Sequence, residues 1–216
     1  MSASRAKFRW LLAGCTAGLL TILAGTGFGS AADAPAPAAQ SARAVFAGGC
    51  FWCMEPPFDA VPGVIATVSG YTGGMRENPS YEQVSEGGTG HFEAIEVTYD
   101  PARVSYAQLL DVFWRNVDPL DDGGQFCDRG SQYGTAIFYA NEDEKAAALK
   151  SREAAAEKLV IKGPIVTPLL PAKEFYPAEE YHQDYYQKNP LRYKYYRYAC
   201  ERDQRLKEVW GEAKQP

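Results

Sequence analysis

A chain of 216 residues that is 46% hydrophobic and 23% charged has the usage of an ordinary soluble domain, not of a fibrous or disordered one. Three of its 22 basic residues, Arg5, Lys7 and Arg9, lie in the first nine positions, so the remainder sets 19 bases against 27 acids, which argues against nucleic acid as a partner. Five cysteines are too few for a disulfide-dense scaffold and two histidines leave little room for a histidine metal site, so unusual chemistry is expected to run on sulfur.

After Arg9 no charge appears until Asp33, and the stretch between is apolar and glycine-bearing, ending in the small residues Ser30, Ala31 and Ala32. This is the layout of a secretory signal peptide over residues 1–32, cleaved after Ala32; the alternative is an uncleaved membrane anchor, since the run approaches the ~20 residues that span a bilayer. Residues 33–42 form an Ala/Pro-rich linker, and residues 43–216 are expected to fold as one catalytic domain, exported to a periplasm-like compartment where thiols oxidise readily.

The domain opens with a short apolar run, 43–47, stopped by Gly48-Gly49, which predicts a strand entering a tight turn. Residues 51–60 read as a short helix beginning nearer Glu55, because Pro56 and Pro57 sit comfortably only in a first turn. Strands are predicted at 64–71 and 93–99, separated by a Gly/Asn/Pro/Ser-rich functional loop, 72–90. Residues 105–117 have helical spacing with Ser105 as N-cap, a polar loop runs over 118–132, a strand over 135–140, an Ala-rich helix over 142–159 capped by Asn141, and another strand over 165–170. The order β-α-β-β-α-β predicts an α+β fold: a ferredoxin-like two-layer α/β sandwich with a mixed sheet, helices on one face and a long C-terminal tail. The tail reads as a short helix and then a Tyr/Arg-rich segment.

Within this frame Gly49-Cys50-Phe51-Trp52-Cys53 stands out. A thiol after a glycine turn and ahead of a helix can meet free N–H groups and the positive helix end, which favour thiolate. Cys50 and Cys53 could equally be a thioredoxin-like redox pair or half of a zinc site, although Cys127 and Cys200 are too far apart in sequence to form a second zinc knuckle. Glu93, at a strand start beside Phe92 and near Phe51 and Trp52, is placed for desolvation to raise its pKa toward the range useful for giving up a proton. Asp128, Gln132 and Tyr133 in the second loop could hydrogen-bond a small polar group, and Tyr81 could reach the same place from the first; His91 could cap or pack.

Together these stretches resemble the A-type peptide methionine sulfoxide reductases. The resemblance rests on Gly49-Cys50-Phe51-Trp52, Pro62-Gly63-Val64, Gly70-Tyr71-Thr72-Gly73-Gly74, Asn78-Pro79-Ser80-Tyr81, Gly90-His91-Phe92-Glu93 and Asp128-Arg129-Gly130-Ser131-Gln132-Tyr133. It continues through Phe175-Tyr176, Glu180-Tyr181-His182-Gln183-Asp184-Tyr185 and Lys188-Asn189-Pro190. It implies a monomeric enzyme without cofactor or metal that reduces methionine S-sulfoxide, free or in oxidised proteins, with electrons from thioredoxin or a thioredoxin-like donor. Cys50 would be the nucleophile, Phe51 and Trp52 the pocket for the substrate methyl, Glu93 the acid, and Tyr81, Tyr133 and Asp128 the polar side. Such a reaction leaves a Cys50 sulfenic acid, which a second thiol condenses to a disulfide. The chain departs from the pattern in having Cys at 53 and in carrying Leu191-Arg192-Tyr193 after Asn-Pro, with Cys200 further on; Cys200, in a tail expected to be mobile, is the expected resolving cysteine, with Cys53 and Cys127 as alternatives. A thiol–disulfide oxidoreductase and a secreted peptide-binding module are the competing readings.

Overall fold

The computed structural model describes residues 41–212; the expected signal segment and most of the linker lie outside the described residues. Among those described, no helix is long and apolar enough to cross a membrane. The elements are β1 (Ala42–Gly48), α1 (Phe51–Asp59), β2 (Val64–Thr72), α2 (Tyr81–Ser85), β3 (Phe92–Tyr99), α3 (Tyr106–Arg115), a two-residue ribbon β4 (Gly124–Gln125) and β5 (Asp128–Arg129), β6 (Thr135–Tyr139), α4 (Glu142–Lys158), β7 (Leu169–Pro171), β8 (Tyr176–Pro177), α5 (Tyr185–Lys188), α6 (Pro190–Ala199) and α7 (Arg202–Trp210).

Six strands form a mixed sheet in the order β7-β6-β1-β3-β2-β8, with β6 and β7 parallel and the other neighbours antiparallel. Its inner four strands have the order expected of a ferredoxin-like sandwich. Period-two alternation assigns the faces. Phe46 of β1 lies opposite both Ile95 of β3 and Ile137 of β6, and this row meets Phe51, Met54 and Phe58 of α1, Leu109, Leu110 and Phe113 of α3, and Ala148 and Ala155 of α4. The intervening residues Ala47, Ala94, Ala136 and Phe138 face the other way, under a thinner cover that includes Phe92 and Phe175.

Several predicted elements change. Helix α1 begins at Phe51, with Pro56 and Pro57 inside it. Each proline removes one backbone hydrogen bond, but burial of Phe51, Cys53, Met54 and Phe58 outweighs that loss, at roughly 1.5–3 kcal/mol for each large apolar side chain. The first loop contains α2, announced by a Ser80/Gln83 capping box that the glycine-rich composition obscured. The strand predicted at 165–170 shortens to Leu169–Pro171, since Pro168 cannot donate to a ladder. Ser105 and Asn141 cap α3 and α4 as expected.

The largest correction is the tail. In place of a mobile segment it forms α5, α6 and α7, with Pro190 at the first position of α6. Val209 and Trp210 are buried, and the Trp210 indole donates to Val117 O at 2.8 Å. A disulfide joins Cys127 to Cys200 across 73 residues, with Cα atoms 4.9 Å apart; by chain entropy a loop of that length contributes about 4 kcal/mol. Gln183 clips the tail to the sheet, accepting from Ser69 N at 2.8 Å and donating to Ser69 O and Ala178 O, each at 2.9 Å.

On the inner face of α1, Glu55 is buried, accepting from Ser69 Oγ at 2.9 Å and Asp184 N at 3.4 Å while its Oε2 has no partner. Burial raises its carboxyl from the ordinary 4.5 to about 7. The folded state therefore holds this proton more tightly than the unfolded chain, and the associated stability is complete below 4.5 and lost as the pH climbs toward 7. Glu55→Gln is expected to be more stable than wild type at pH 8 by about 1 kcal/mol or more, with the gap closing at low pH. Denaturant unfolding across that range checks this; a gap that does not vary with pH would contradict it.

Candidate active site

Strand β1 ends in Gly48-Gly49. Gly49 has φ +82°, and a Cβ there would stand 2.5 Å from Gln125 Cβ, so only glycine makes this reversal under the β4–β5 ribbon. The turn delivers Cys50 as N-cap of α1, but its side chain makes no capping hydrogen bond. The Phe51 N–H, one of the first free donors of the helix, goes to Glu93 Oε2 at 3.2 Å.

Glu93 reaches that N–H because it lies two and four residues before Ile95 and Val97 on the helix-facing side of β3, directly opposite Tyr71 of β2. It is 2% exposed. Burial lifts its carboxyl to about 8, the nearby Asp128 and Cys53 push the same way, and the Phe51 N–H opposes them without prevailing. At neutral pH Glu93 carries a proton, as its sequence position suggested.

Tyr81, at the start of α2, and Tyr133, at the end of the 3₁₀ turn Ser131–Tyr133, face Glu93 and Cys50. Burial, reinforced by Glu93, raises the Tyr81 phenol to about 12 and Tyr133 higher still, so both remain neutral hydrogen-bond donors. Asp128 of β5 is half-buried and accepts from the Tyr196 hydroxyl through Oδ2. The structure thus brings Cys50, Glu93, Tyr81, Tyr133 and Asp128 together. Gln132 instead donates to Ser85 O at 2.9 Å and ties the second loop to α2, while His91 pins residues 74–76 through Gly74 N and Arg76 O.

Phe51 is fully buried, which leaves half-buried Trp52 as the reachable aromatic wall. Trp52 is held by groups that sequence reasoning read as packing. Its Nε1–H donates to His182 Nδ1 at 3.0 Å, its ring stacks on Tyr185 at 3.7 Å and 8°, and Tyr196 stands edge-on at 5.9 Å. Because His182 Nδ1 accepts, its proton is on Nε2, toward Glu179 Oε2 at 4.0 Å; burial lowers the His182 pKa and keeps the ring neutral. Glu179 also accepts from Tyr81 N and the Tyr71 hydroxyl, each at 2.9 Å. The Glu180-Tyr181-His182 stretch was the available signal, though nothing local shows that it meets Trp52 across 130 residues.

The sulfur chemistry differs from the expectation in two respects. Cys50 and Cys53 are free, buried and hydrogen-bonded to one another. Cys53 is the thiol whose pKa is pulled down, first by the hydrogen bond with Cys50 and then by the Arg202 and Arg197 guanidinium groups, against burial. Burial first, then Cys53, Glu93 and Asp128, holds the Cys50 thiol well above its ordinary range. The Phe51 N–H, nearest of the helix-end donors to Cys50 in the chain, is given to Glu93 and not to the Cys50 sulfur. Moreover, the expected resolving residue Cys200 has its sulfur in the bond to Cys127, and Cys53 is the thiol beside Cys50. Ligand atoms of Cys127, Asp128 and Cys200 lie within 4.8 Å of one another, but the disulfide occupies two of them.

A family model described as peptide methionine sulfoxide reductase matches residues 42–214. The peptide methionine sulfoxide reductase MsrA of Halalkalibacterium halodurans is 53% identical over 169 residues, covering 78% of this chain and 96% of that protein; its Bacillus subtilis counterpart is 52% identical over 168 residues, covering 78% and 95%. Among solved structures, methionine sulfoxide reductase A of Corynebacterium diphtheriae superposes with a TM-score of 0.64 at 37% identity, covering 70% of this chain and 76% of that one. The reduced form of Mxr1 from Saccharomyces cerevisiae gives 0.65 at 32% identity, covering 71% and 88%. A fold, a buried thiol and a protonated carboxyl that sequence similarity joins over four-fifths of the chain place it in the A-type peptide methionine sulfoxide reductase family.

Proposed function

We propose that the chain reduces the S epimer of methionine sulfoxide, free or within proteins, with Cys50 as nucleophile, Glu93 as acid and Cys53 as the thiol that resolves the Cys50 sulfenic acid. The observation that carries this reading is the buried Glu93 carboxyl, protonated at neutral pH and set near a buried thiol and two neutral phenols. A sulfoxide sulfur is a poor electrophile until its oxygen is protonated or strongly hydrogen-bonded, and Glu93, Tyr81 and Tyr133 supply those donors out of bulk water.

In the first step Cys50 sulfur attacks the sulfoxide sulfur as its proton passes to Cys53, and the oxygen takes a proton from Glu93. Oxygen transfer oxidises Cys50 to the sulfenic acid and releases the sulfide as methionine. In the second, Cys53 sulfur attacks Cys50 sulfur, the S–S bond forms, the S–O bond breaks, and the oxygen leaves as water. The two protons in that water come from Cys50 and Glu93, which ends as a carboxylate. Cys200 can take part in resolution only once its bond to Cys127 is opened. An external dithiol, thioredoxin or a thioredoxin-like protein, restores the pair. Export to an oxidising compartment is supported by the N-terminal basic and apolar pattern.

A thiol–disulfide oxidoreductase built on Cys50 and Cys53 would not need Glu93, and this separates the readings. Glu93→Gln, which keeps the acceptor for Phe51 N–H, is expected to slow the first turnover roughly 10²–10⁴-fold. In wild type the rate of that step should fall as the pH passes about 8, and the variant should lack this limb; an unchanged rate would reduce Glu93 to a structural role. Cys50→Ser should be folded and inactive with either epimer. The Trp52 wall on one side and the oxygen donors on the other define a chirality, so the R epimer should be a far poorer substrate. Mass spectrometry after one equivalent of sulfoxide without reductant should find a Cys50–Cys53 bond, and Cys200→Ser should still cycle.

A further inference from the structure

Arg202 is among the largest fully buried side chains, 2% exposed. Its Nη2 donates to Asn116 O at 2.6 Å, Gly48 O at 3.1 Å and Met54 Sδ at 3.2 Å, its guanidinium lies 4.3 Å from the centre of the Phe126 ring, and its Nε has no partner. None of the ion pairs among the described residues includes it: neighbouring Arg197 is committed to Asp203, and Arg205 to Asp118 and Glu208. A buried guanidinium that meets only carbonyls, a thioether and a ring is an uncompensated charge, which costs several kcal/mol unless an anion faces it.

That anion is available. Met54 Sδ, which Arg202 touches, belongs to the residue after Cys53, and the Arg202 and Arg197 charges both act on the buried Cys53 sulfur. The titratable and charged groups facing Cys53 are Cys50 on its own helix, Glu93 of β3, Asp128 of β5, Tyr193 and Arg197 of α6, and Arg202 of α7. Of the two cations, Arg202 alone makes no ion pair with a carboxylate; its charge also acts on Asp128, which accepts from the Tyr196 hydroxyl. We infer that Arg202 is the fixed counter-cation of the Cys50–Cys53 pair, a positioning residue that keeps Cys53 ionised to receive the Cys50 proton and then favours its giving that proton to the departing oxygen as it attacks the sulfenic acid. The inference rests on the role given to Cys53 above. It also explains why the tail folds back: α7 carries the cation, and the Cys127–Cys200 bond lies two residues from it.

The test is thiol titration in Cys50→Ser, where the introduced hydroxyl can still donate to Cys53 and Cys53 is the remaining free thiol among the described residues. Alkylation rate against pH is expected to give a midpoint near 6. Adding Arg202→Met should raise it by at least about one unit, a tenfold fall in the dissociation constant, while Arg202→Lys should hold it within about half a unit. In the otherwise native protein, R202M should move the acid limb of the single-turnover rate upward by the same interval, which a merely structural role would not do. An unshifted midpoint in folded C50S/R202M overturns the inference. If R202M does not fold, C50S alone decides: a midpoint at or above the ordinary thiol value of about 8.5 overturns it, and a low midpoint retained in R202K supports it. Absence of a Cys50–Cys53 bond in the mass-spectrometric experiment, with the titrations as expected, would overturn the role of Cys53 and leave that of Arg202 as counter-cation.

Discussion

The active site depends on one hydrogen bond between a strand and a helix, from the Phe51 N–H at the start of α1 to the carboxyl of Glu93 on β3. The strand supplies the carboxyl from its core face, and the helix supplies a donor that would otherwise go unsatisfied. That donor is therefore not available to a Cys50 thiolate. A single N–H is not enough to keep a fully buried carboxyl ionised, so Glu93 is a proton donor at neutral pH. Desolvation therefore sets the chemistry of both groups, giving a protonated carboxyl and a protonated Cys50 thiol in one pocket. Of the two thiols, Cys53, one helical turn on, is the one whose pKa is drawn down, with the Arg202 and Arg197 guanidinium groups among the causes.

The C-terminal tail is as much a part of the site as the sheet. His182 and Tyr185 hold Trp52 from two directions, Glu179 anchors Tyr81, and Tyr196 occupies Asp128. These contacts join residues about 70 to 130 positions apart, so the tail must be fixed for the aromatic wall to have a defined orientation. Gln183, the buried Trp210 and the Cys127–Cys200 bond fix it. As a member of the A-type family the chain performs thiol-dependent reduction of methionine sulfoxide; in its own arrangement the Cys-x-x-Cys pair is free and the two remaining described cysteines are joined and hold the tail.

Local signals were enough for the sheet and its capped helices. Alternation in β2, β3 and β6, the Ser105 and Asn141 caps and the Gly48-Gly49 stop are properties of adjacent residues, and each reappears within a residue or two of its predicted place. The motif around Cys50, the carboxyl at Glu93 and the polar groups Tyr81, Asp128 and Tyr133 were legible as candidates through the family resemblance, and the fold brings them together. Hydrophobic period cannot weigh two prolines against the burial of a whole helix face, and α1 shows that burial prevails.

Which sulfur carries the charge, and which pairs with which, was decided only by tertiary structure. Cys53 was no more than an alternative in the sequence, since the cation that faces it lies at the far end of the domain, on α7, and pKa depends on three-dimensional distance and desolvation. Cys200 read as the mobile partner of Cys50 because Tyr and Arg are polar in composition; in the fold Tyr196 is tied to Asp128, Arg202 is buried, and the sulfur meets Cys127 instead. Residue types set the reaction this protein can run, whereas long-range packing set the protonation state and pairing of each thiol, because electrostatics and burial are summed over neighbours that chain order does not reveal.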